Sequence, residues 1–308
     1  MRILCATDLL PGSDAAIDRA GMLSDQLAAD LTLLHVAVPG ESDCGIEEAL
    51  QRAQTQAESR VRAPRWRAQR TPVVAIHAGI PGRIIPEVLA QSEARLLILG
   101  PRRRRPLLDA FEGSIAGKAL AARIPLLVAR NAAVSPYRRV LFALDASAAS
   151  AAAVRVAESL VLPSGMAAIA VHADDPPYRE ALPYADIGMG SVDRYLAKWR
   201  REAQKTVYDM LRQHSADPLR YEIDVKLAPP AAGILQAVDQ FSPDLLVMGT
   251  RASGRLRRAF IGSVANQVLQ LVRRDVLIVP EGADESWNGS SRAASDAAER
   301  ADVRRATG

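Results

Sequence analysis

The chain has 308 residues, of which 49% are hydrophobic and 24% charged, with a formal net charge of +4. That balance is ordinary for a globular protein, and so small a positive excess does not by itself imply a nucleic-acid partner. No run approaches 18 uninterrupted apolar residues, so no membrane span is expected. Aromatic residues are scarce at 4%, which leaves the cores to Ala, Val, Ile and Leu.

In chain order, the pattern predicts a strand over 2–7, a helix from about 12 to 28, a strand over 31–37 and a helix from about 45 to 62. A strand over 72–77, a helix over 82–93, a strand over 95–99, a helix over 113–122 and a strand over 125–129 follow. Runs such as Leu31-Thr-Leu-Leu-His-Val and Leu96-Leu-Ile-Leu are short and continuously apolar, as suits a parallel sheet covered on both faces. Strict alternation of strand and helix argues for right-handed β/α winding. Pro86 is placed near the start of its helix, where a missing N–H costs little.

Asn131 to Arg138 reads as a linker punctuated by Ser135-Pro136, and the same order then begins again. Strands are predicted at 139–144, 167–172, 221–226, 244–248 and 275–279. Helices are predicted at 148–160, about 191–213, 231–240 and 262–272. The repetition is visible in the residues themselves. Gly100 and Gly249 are 149 residues apart, as are Gly113 and Gly262, while Asp8 and Asp145, and His35 and His172, are 137 apart. The second copy therefore carries about 12 extra residues, located in the Pro- and Gly-containing stretch 174–190. A repeated unit of this size is a whole domain. The expected fold class is α/β, two doubly wound domains (1–131 and 138–281), each a five-stranded parallel sheet with helices on both faces. Residues 282–308, low in branched apolar residues, are expected to be a disordered tail.

In such sheets the ligand crevice lies beyond the carboxyl ends of the strands, at the switch point. Asp8 and Asp145 end first strands there, and Gly100 and Gly249 end fourth strands. Gly113-Ser114 and Gly262-Ser263 stand at helix starts, where free amides and the helix dipole favour a phosphate. A strand-end carboxylate can accept from a ribose hydroxyl or an exocyclic amine, so a nucleotide is the natural guest. The plainer readings make Asp8 and Asp145 turn residues, Gly-Ser an N-cap, His35 and His172 satisfied core histidines, and Arg102 to Arg105 a solvated loop. Arg251, Arg255, Arg257 and Arg258 repeat the basic loop in the second copy.

No Walker-type loop, Gly-x-Gly-x-x-Gly after the first strand, nucleophile elbow, His-Glu-x-x-His or Cys-x-x-Cys occurs. With no convincing pair of carboxylates for acid–base work, no catalytic centre and no metal are expected. Cys5 falls in a strand and Cys44 in a loop without partner spacing. The apolar start MRILCATDLL is interrupted by Asp8 and lacks a cleavage region, so no secretory signal is read and a cytoplasmic protein is expected.

The runs LFALDAS, AVHA and VMGTRASGRLRRAFIGSVANQVLQLVRRDVLIV, echoed in the first copy, resemble the universal stress protein family over roughly 1–280. The resemblance implies a fold of the adenine nucleotide α hydrolase-like kind and a stress-response role with ATP as ligand, without a tightly bound cofactor. It implies an adenine site at Asp145 and the backbone of His172-Ala173, and phosphates at Gly249, Gly262, Ser263 and Val264. The first-copy equivalents are Asp8, Val36, Gly100, Gly113 and Ser114. Both copies depart from the family loop at its second glycine, where Arg103 and Ala252 stand. A nucleotide-free structural or interaction protein with degenerate pockets is therefore the alternative. Family members often pair through the last strand, so strands 125–129 and 275–279 are expected to meet as an intramolecular pseudo-dimer. A homodimer and the protein partner are left open, and neither membrane nor nucleic acid is expected.

Overall fold

Ten strands lie side by side in one sheet, although the chain builds it in two instalments. The computed structural model describes residues 1–40, 45–63, 68–101, 115–162, 166–177, 189–251, 262–285 and 287. The first instalment runs β1 (Arg2–Thr7), α1 (Asp14–Gln26), β2 (Asp30–Ala37), α2 (Ile46–Arg62), β3 (Val73–Ala78), α3 (Pro81–Gln91), β4 (Leu96–Leu99), α4 (Ile115–Ala121) and β5 (Leu126–Val128). The second runs β6 (Val140–Ala143), α5 (Ala148–Val161), β7 (Ala168–Ala173), α6 (Met189–His214), β8 (Tyr221–Lys226), α7 (Pro230–Phe241), β9 (Leu245–Thr250), α8 (Ser263–Leu271) and β10 (Asp275–Pro280).

The strand order is β3-β2-β1-β4-β5-β10-β9-β6-β7-β8, so each half is a parallel five-stranded sheet. The halves join where β5 and β10 pair antiparallel, with Val276 opposite Val128, Leu277 opposite Leu127 and Ile278 opposite Leu126. The last strands thus meet inside one chain and neither presents an open edge. Alternation along the strands sends side chains to two faces. Ile3, Leu33, Ile98, Phe142, Val247 and Leu277 pack under α1, α2, α5 and α6. Leu4, Leu34, Leu97, Leu141, Leu246 and Ile278 pack under α3, α4, α7 and α8. Both cores cross the seam without interruption.

Pro86 sits in the second turn of α3 rather than near its start. A proline there cannot donate to the carbonyl four residues earlier, that of Gly82. Lys118 of α4 supplies the missing donor, with Nζ 2.7 Å from the Gly82 oxygen.

The linker is anchored rather than loose. Asp275, with no exposed surface, accepts at Oδ1 from the amides of Arg130 (2.8 Å) and Asn131 (3.0 Å). Its Oδ2 accepts from the Tyr137 hydroxyl at 2.7 Å, and Arg19 Nε lies 3.6 Å away. Arg19 also lies over the Tyr137 ring at 3.9 Å and donates to the Ser135 carbonyl at 3.0 Å. Burial, reinforced by the Asp275 charge, pushes the Tyr137 phenol well above its usual value, so it remains a donor. Removing one member of such a buried set strands the others. Asp275→Ala is expected to cost about 3–5 kcal/mol in urea unfolding, and Asp244→Ala, at an exposed loop, much less.

Disorder from residue 282 is corrected for part of that stretch. After β10, Glu281 donates its amide to Thr250 O at 2.9 Å. Ala283 and Trp287 are buried in the core beneath α5, because an indole and a methyl group there complete an apolar surface the expected tail would have left open. Asp284 pairs with Arg155 of α5 at 2.6 Å, and Glu285 with Arg123 of the first half at 3.0 Å. Residues 288–308 lie outside the described set.

Arg155 also bonds His214 Nδ1 at 2.6 Å, so that nitrogen is the unprotonated one. Burial, then the Arg155 charge, hold His214 below its ordinary 6.5, with Asp284 pulling the other way. The unfolded chain therefore binds this proton more readily. The contact's stability is present above pH 6.5 and is lost as pH falls below it. Thermal midpoints should drop on mild acidification, and His214→Gln should flatten that part of the profile.

Candidate functional site

At the carboxyl end of each half the same three residue types converge. Asp8 Oδ1 accepts from the Leu10 amide (2.9 Å) and the Ser13 hydroxyl (2.6 Å). Asp145 Oδ1 accepts from the Ser147 amide (3.0 Å), the Ser147 hydroxyl and the Ser150 hydroxyl (2.7 Å). Ser13 and Ser150 are 137 residues apart, the same spacing as the aspartates. In each case no described residue bonds Oδ2, and the side chain is exposed. Burial of Asp145 works against its charge, but the Ser147 and Ser150 bonds and the Arg251 charge outweigh it, so its carboxyl lies below the usual value. It is a standing anion with one oxygen that no described residue bonds.

Both histidines take the core role. His35 Nδ1 bonds the Thr7 carbonyl at 2.9 Å, and His172 Nδ1 the Leu144 carbonyl at 2.8 Å. A carbonyl can only accept, so Nδ1 carries the proton. Each ring secures the strand end just before the aspartate.

The backbone of Ala173 is placed differently. Asp174, the next residue, gives its amide to Lys226 O (3.0 Å) and receives the Ala228 amide at its carbonyl (3.1 Å). Those bonds face β8. Alternation along a parallel strand turns the N–H and C=O of Ala173 to the opposite side, toward β6. But β6 ends at Ala143, and the last bond across that gap runs from the Leu144 amide to Val171 O. No described residue takes the Ala173 pair. One residue thus offers a donor and an acceptor side by side, next to Asp145. Its methyl group stands out of the sheet, against Gly233 of α7, where a Cβ would come within 2.6 Å.

Gly249 is required by packing: a Cβ there would lie 2.5 Å from the carbonyl carbon and oxygen of Ala149, at the start of α5. Gly100 abuts Ser13 similarly, at 3.1 Å from its hydroxyl. Gly262 is free of this constraint, with nothing within 4 Å of the Cβ position. It precedes α8, whose first-turn amides, those of Ser263, Val264 and Ala265, have no side-chain cap. Asn266 starts the helical ladder by donating to Gly262 O at 2.9 Å.

The sequence profile of the Universal stress protein family matches residues 1–130 and again 136–280. The chain belongs to that family. It is 31% identical over 96 residues to universal stress protein Sll1388 of Synechocystis sp., a match covering 31% of this chain and 62% of that relative. It is 27% identical to the stress response protein NhaX of Bacillus subtilis over 167 residues, half of this chain and 96% of the relative. A solved universal stress protein from Archaeoglobus fulgidus shares the fold across 92% of this chain and 97% of its own, with TM-score 0.60 and 17% identity.

Within this tandem universal stress protein, Asp145, Ala173, Gly249, Gly262, Ser263 and Val264 all gather at the carboxyl end of the second half. Asp8, Val36 and Gly100 do so in the first. Ala252, Gly113 and Ser114 lie outside the described residues, as do Arg102 to Arg105, Arg255, Arg257 and Arg258. Ser13 and Ser150 escaped the sequence reading, although their spacing of 137 was available to it. The halves also differ. In the first, Arg60 of α2 bonds Asp14 at 2.9 Å and the Leu9 carbonyl, closing the gap between α1 and α2. In the second, the corresponding gap between α5 and α6 is a groove of about 490 Å³ bordered by Ser147, Arg155 and Met210. Among the described residues no His, Cys, Asp or Glu cluster could hold a metal, and no helix is long and apolar enough to cross a membrane.

The two glycines predict opposite outcomes. Gly249→Ala should cost about 1–3 kcal/mol by overpacking against the α5 backbone. Gly262→Val should cost about 1 kcal/mol or less, the usual scale for a changed N-cap. Chemical denaturation of both variants checks this.

Proposed function

We propose that the second half binds an adenine nucleotide such as ATP, and that binding rather than turnover is its output. The observation that carries the reading is the Ala173 backbone pair beside Asp145 Oδ2, neither of them bonded by a described residue. Adenine presents an acceptor, N1, next to a donor, the N6 amine, and one residue's N–H and C=O complement that edge. Guanine presents its donor and acceptor reversed in those positions, so the same edge would discriminate against it. Asp145 Oδ2 is suited to accept from ribose hydroxyls, and the uncapped amides of Ser263, Val264 and Ala265 to hold phosphate. Gly249 supports the site by letting β9 approach α5, whether or not it touches the ligand. Because Asp145 is held as an anion by several donors, it makes a poor base near neutrality, which favours binding over chemistry. Family membership adds the stress-response setting.

The first half has a distinct reading as a structural partner. Arg60 closes its α1–α2 gap, and Arg103 stands at the place that Ala252 takes in the second half.

Isothermal titration of ATP into the whole protein tests the proposal. One site per chain is expected, abolished or weakened at least tenfold by Gly262→Val and by Asp145→Ala, with both variants folded. Saturable binding that both substitutions leave intact would remove the assignment.

A further inference from the structure

The chain leaving β7 is fastened by side chains as well as backbone in the second half, and among the described residues the chain leaving β2 is fastened by backbone alone. Trp199 Nε1 on α6 donates to Asp174 Oδ2 at 2.7 Å. Its ring lies against Tyr195, one turn earlier, with centroids 6.0 Å apart and planes tilted by 43°. The Tyr195 hydroxyl donates to the Pro177 carbonyl at 3.2 Å. Two neighbouring aromatic side chains thus hold both ends of the segment 174–177. Asp174 is also fixed through its backbone, by Lys226 and Ala228. Four bonds converge on a segment that begins immediately after Ala173.

Among the described residues the first half has no such side-chain ties. Ala37 stands 137 residues before Asp174 and has no side-chain acceptor, and α2 contains no aromatic residue. The exit of β2 is held by backbone alone: the Gly79 amide meets the Ala37 carbonyl at 2.9 Å and Ala37 pairs with Ala78 in the ladder, the counterparts of the Ala228 and Lys226 bonds. The extra length of the second copy falls between β7 and α6, the two elements that the Trp199–Asp174 bond ties together.

We infer that Trp199 is a positioning residue for the base: by holding Asp174 it fixes the direction in which the Ala173 N–H and C=O point. This rests on the nucleotide reading above and adds a determinant of base selectivity to it. A donor–acceptor pair discriminates between bases only while both groups keep their direction. A peptide plane free to rock serves adenine less well and penalises guanine less. Tyr195 braces the indole and the far end of the segment. The same device explains a difference in use between halves that otherwise repeat each other's Asp, Ser and Gly.

The test is titration of ATP and GTP into the full chain carrying Trp199→Phe, Asp174→Ala, both together, or Asp174→Asn. Phenylalanine keeps the ring against Tyr195 and removes only the donor, while asparagine keeps an acceptor oxygen for the indole. Trp199→Phe and Asp174→Ala should each weaken ATP about tenfold, the scale of one hydrogen bond to a charged group, and the pair should do no worse than either alone. The preference for ATP over GTP should shrink by a similar factor, and Asp174→Asn should retain both affinity and preference. Unchanged ATP affinity in Trp199→Phe, with a wild type that binds, would overturn this inference and leave the nucleotide site standing. Equal loss of ATP and GTP would also overturn it, as a general loosening of the fold does not select between bases. A wild type that binds neither nucleotide overturns both readings.

Discussion

Three residue pairs, Leu126 to Val128 against Val276 to Ile278, carry the architecture. Each half on its own would end in a short, wholly apolar edge strand, the kind of edge that recruits other chains. Pairing the two edges antiparallel removes both and makes one sheet of two. Both layers of core then run through the seam, so neither half is energetically separate from the other. The antiparallel contact also has a directional consequence. Every strand in one half points opposite to every strand in the other, so the two carboxyl-end crevices open at opposite ends of the sheet. Two crevices so placed cannot share a ligand.

A perfect repeat would need nothing more, but a tandem chain must also route a linker past its own seam. Asp275 is where that asymmetry is absorbed. By strand register, with Leu97 opposite Leu126 and Leu246 opposite Val276, the equivalent first-half position is Pro125, which has no side-chain acceptor. In the second half a buried carboxylate takes the linker's amides, the Tyr137 hydroxyl and the Arg19 charge. A charge at that depth is tolerated only because each of its oxygens is filled. The segment after β10 adds a second tie, with Asp284 on the second half and Glu285 on the first. The result is a rigid scaffold on which the loops at the carboxyl ends can differ between halves.

Much of this was legible in the residues. Constant spacings of 137 and 149 marked the duplication, and apolar runs such as Leu96 to Leu99 marked buried parallel strands. The crevice at Asp145, Ala173 and Gly262 followed from where strands end and helices begin. What escaped notice did so for physical reasons. Ser13 and Ser150 look like ordinary helix-entry residues until their hydroxyls are seen on the aspartates. The selection of Ala173 is a matter of hydrogen-bond parity along a strand, and alanine itself carries no trace of it. Trp199 and Asp174 are 25 residues apart, beyond the reach of any local pattern. Trp287 sat in a stretch whose composition reads as disordered, because one indole can anchor a segment that its small, polar neighbours cannot. Gly249 looked like a ligand glycine, and its place against the α5 backbone makes it a packing glycine, a role the sequence does not show.

The central claim is that two similar halves sharing one sheet have been given different work, with the ligand held in the second. Hydrogen–deuterium exchange of the intact protein with and without saturating ATP tests it most directly, since it reports each half separately. The account predicts new protection at 145–150, 173–174 and 263–266, and none at 8–13 or 36–37. Protection confined to the first half, or spread equally over both, would contradict it.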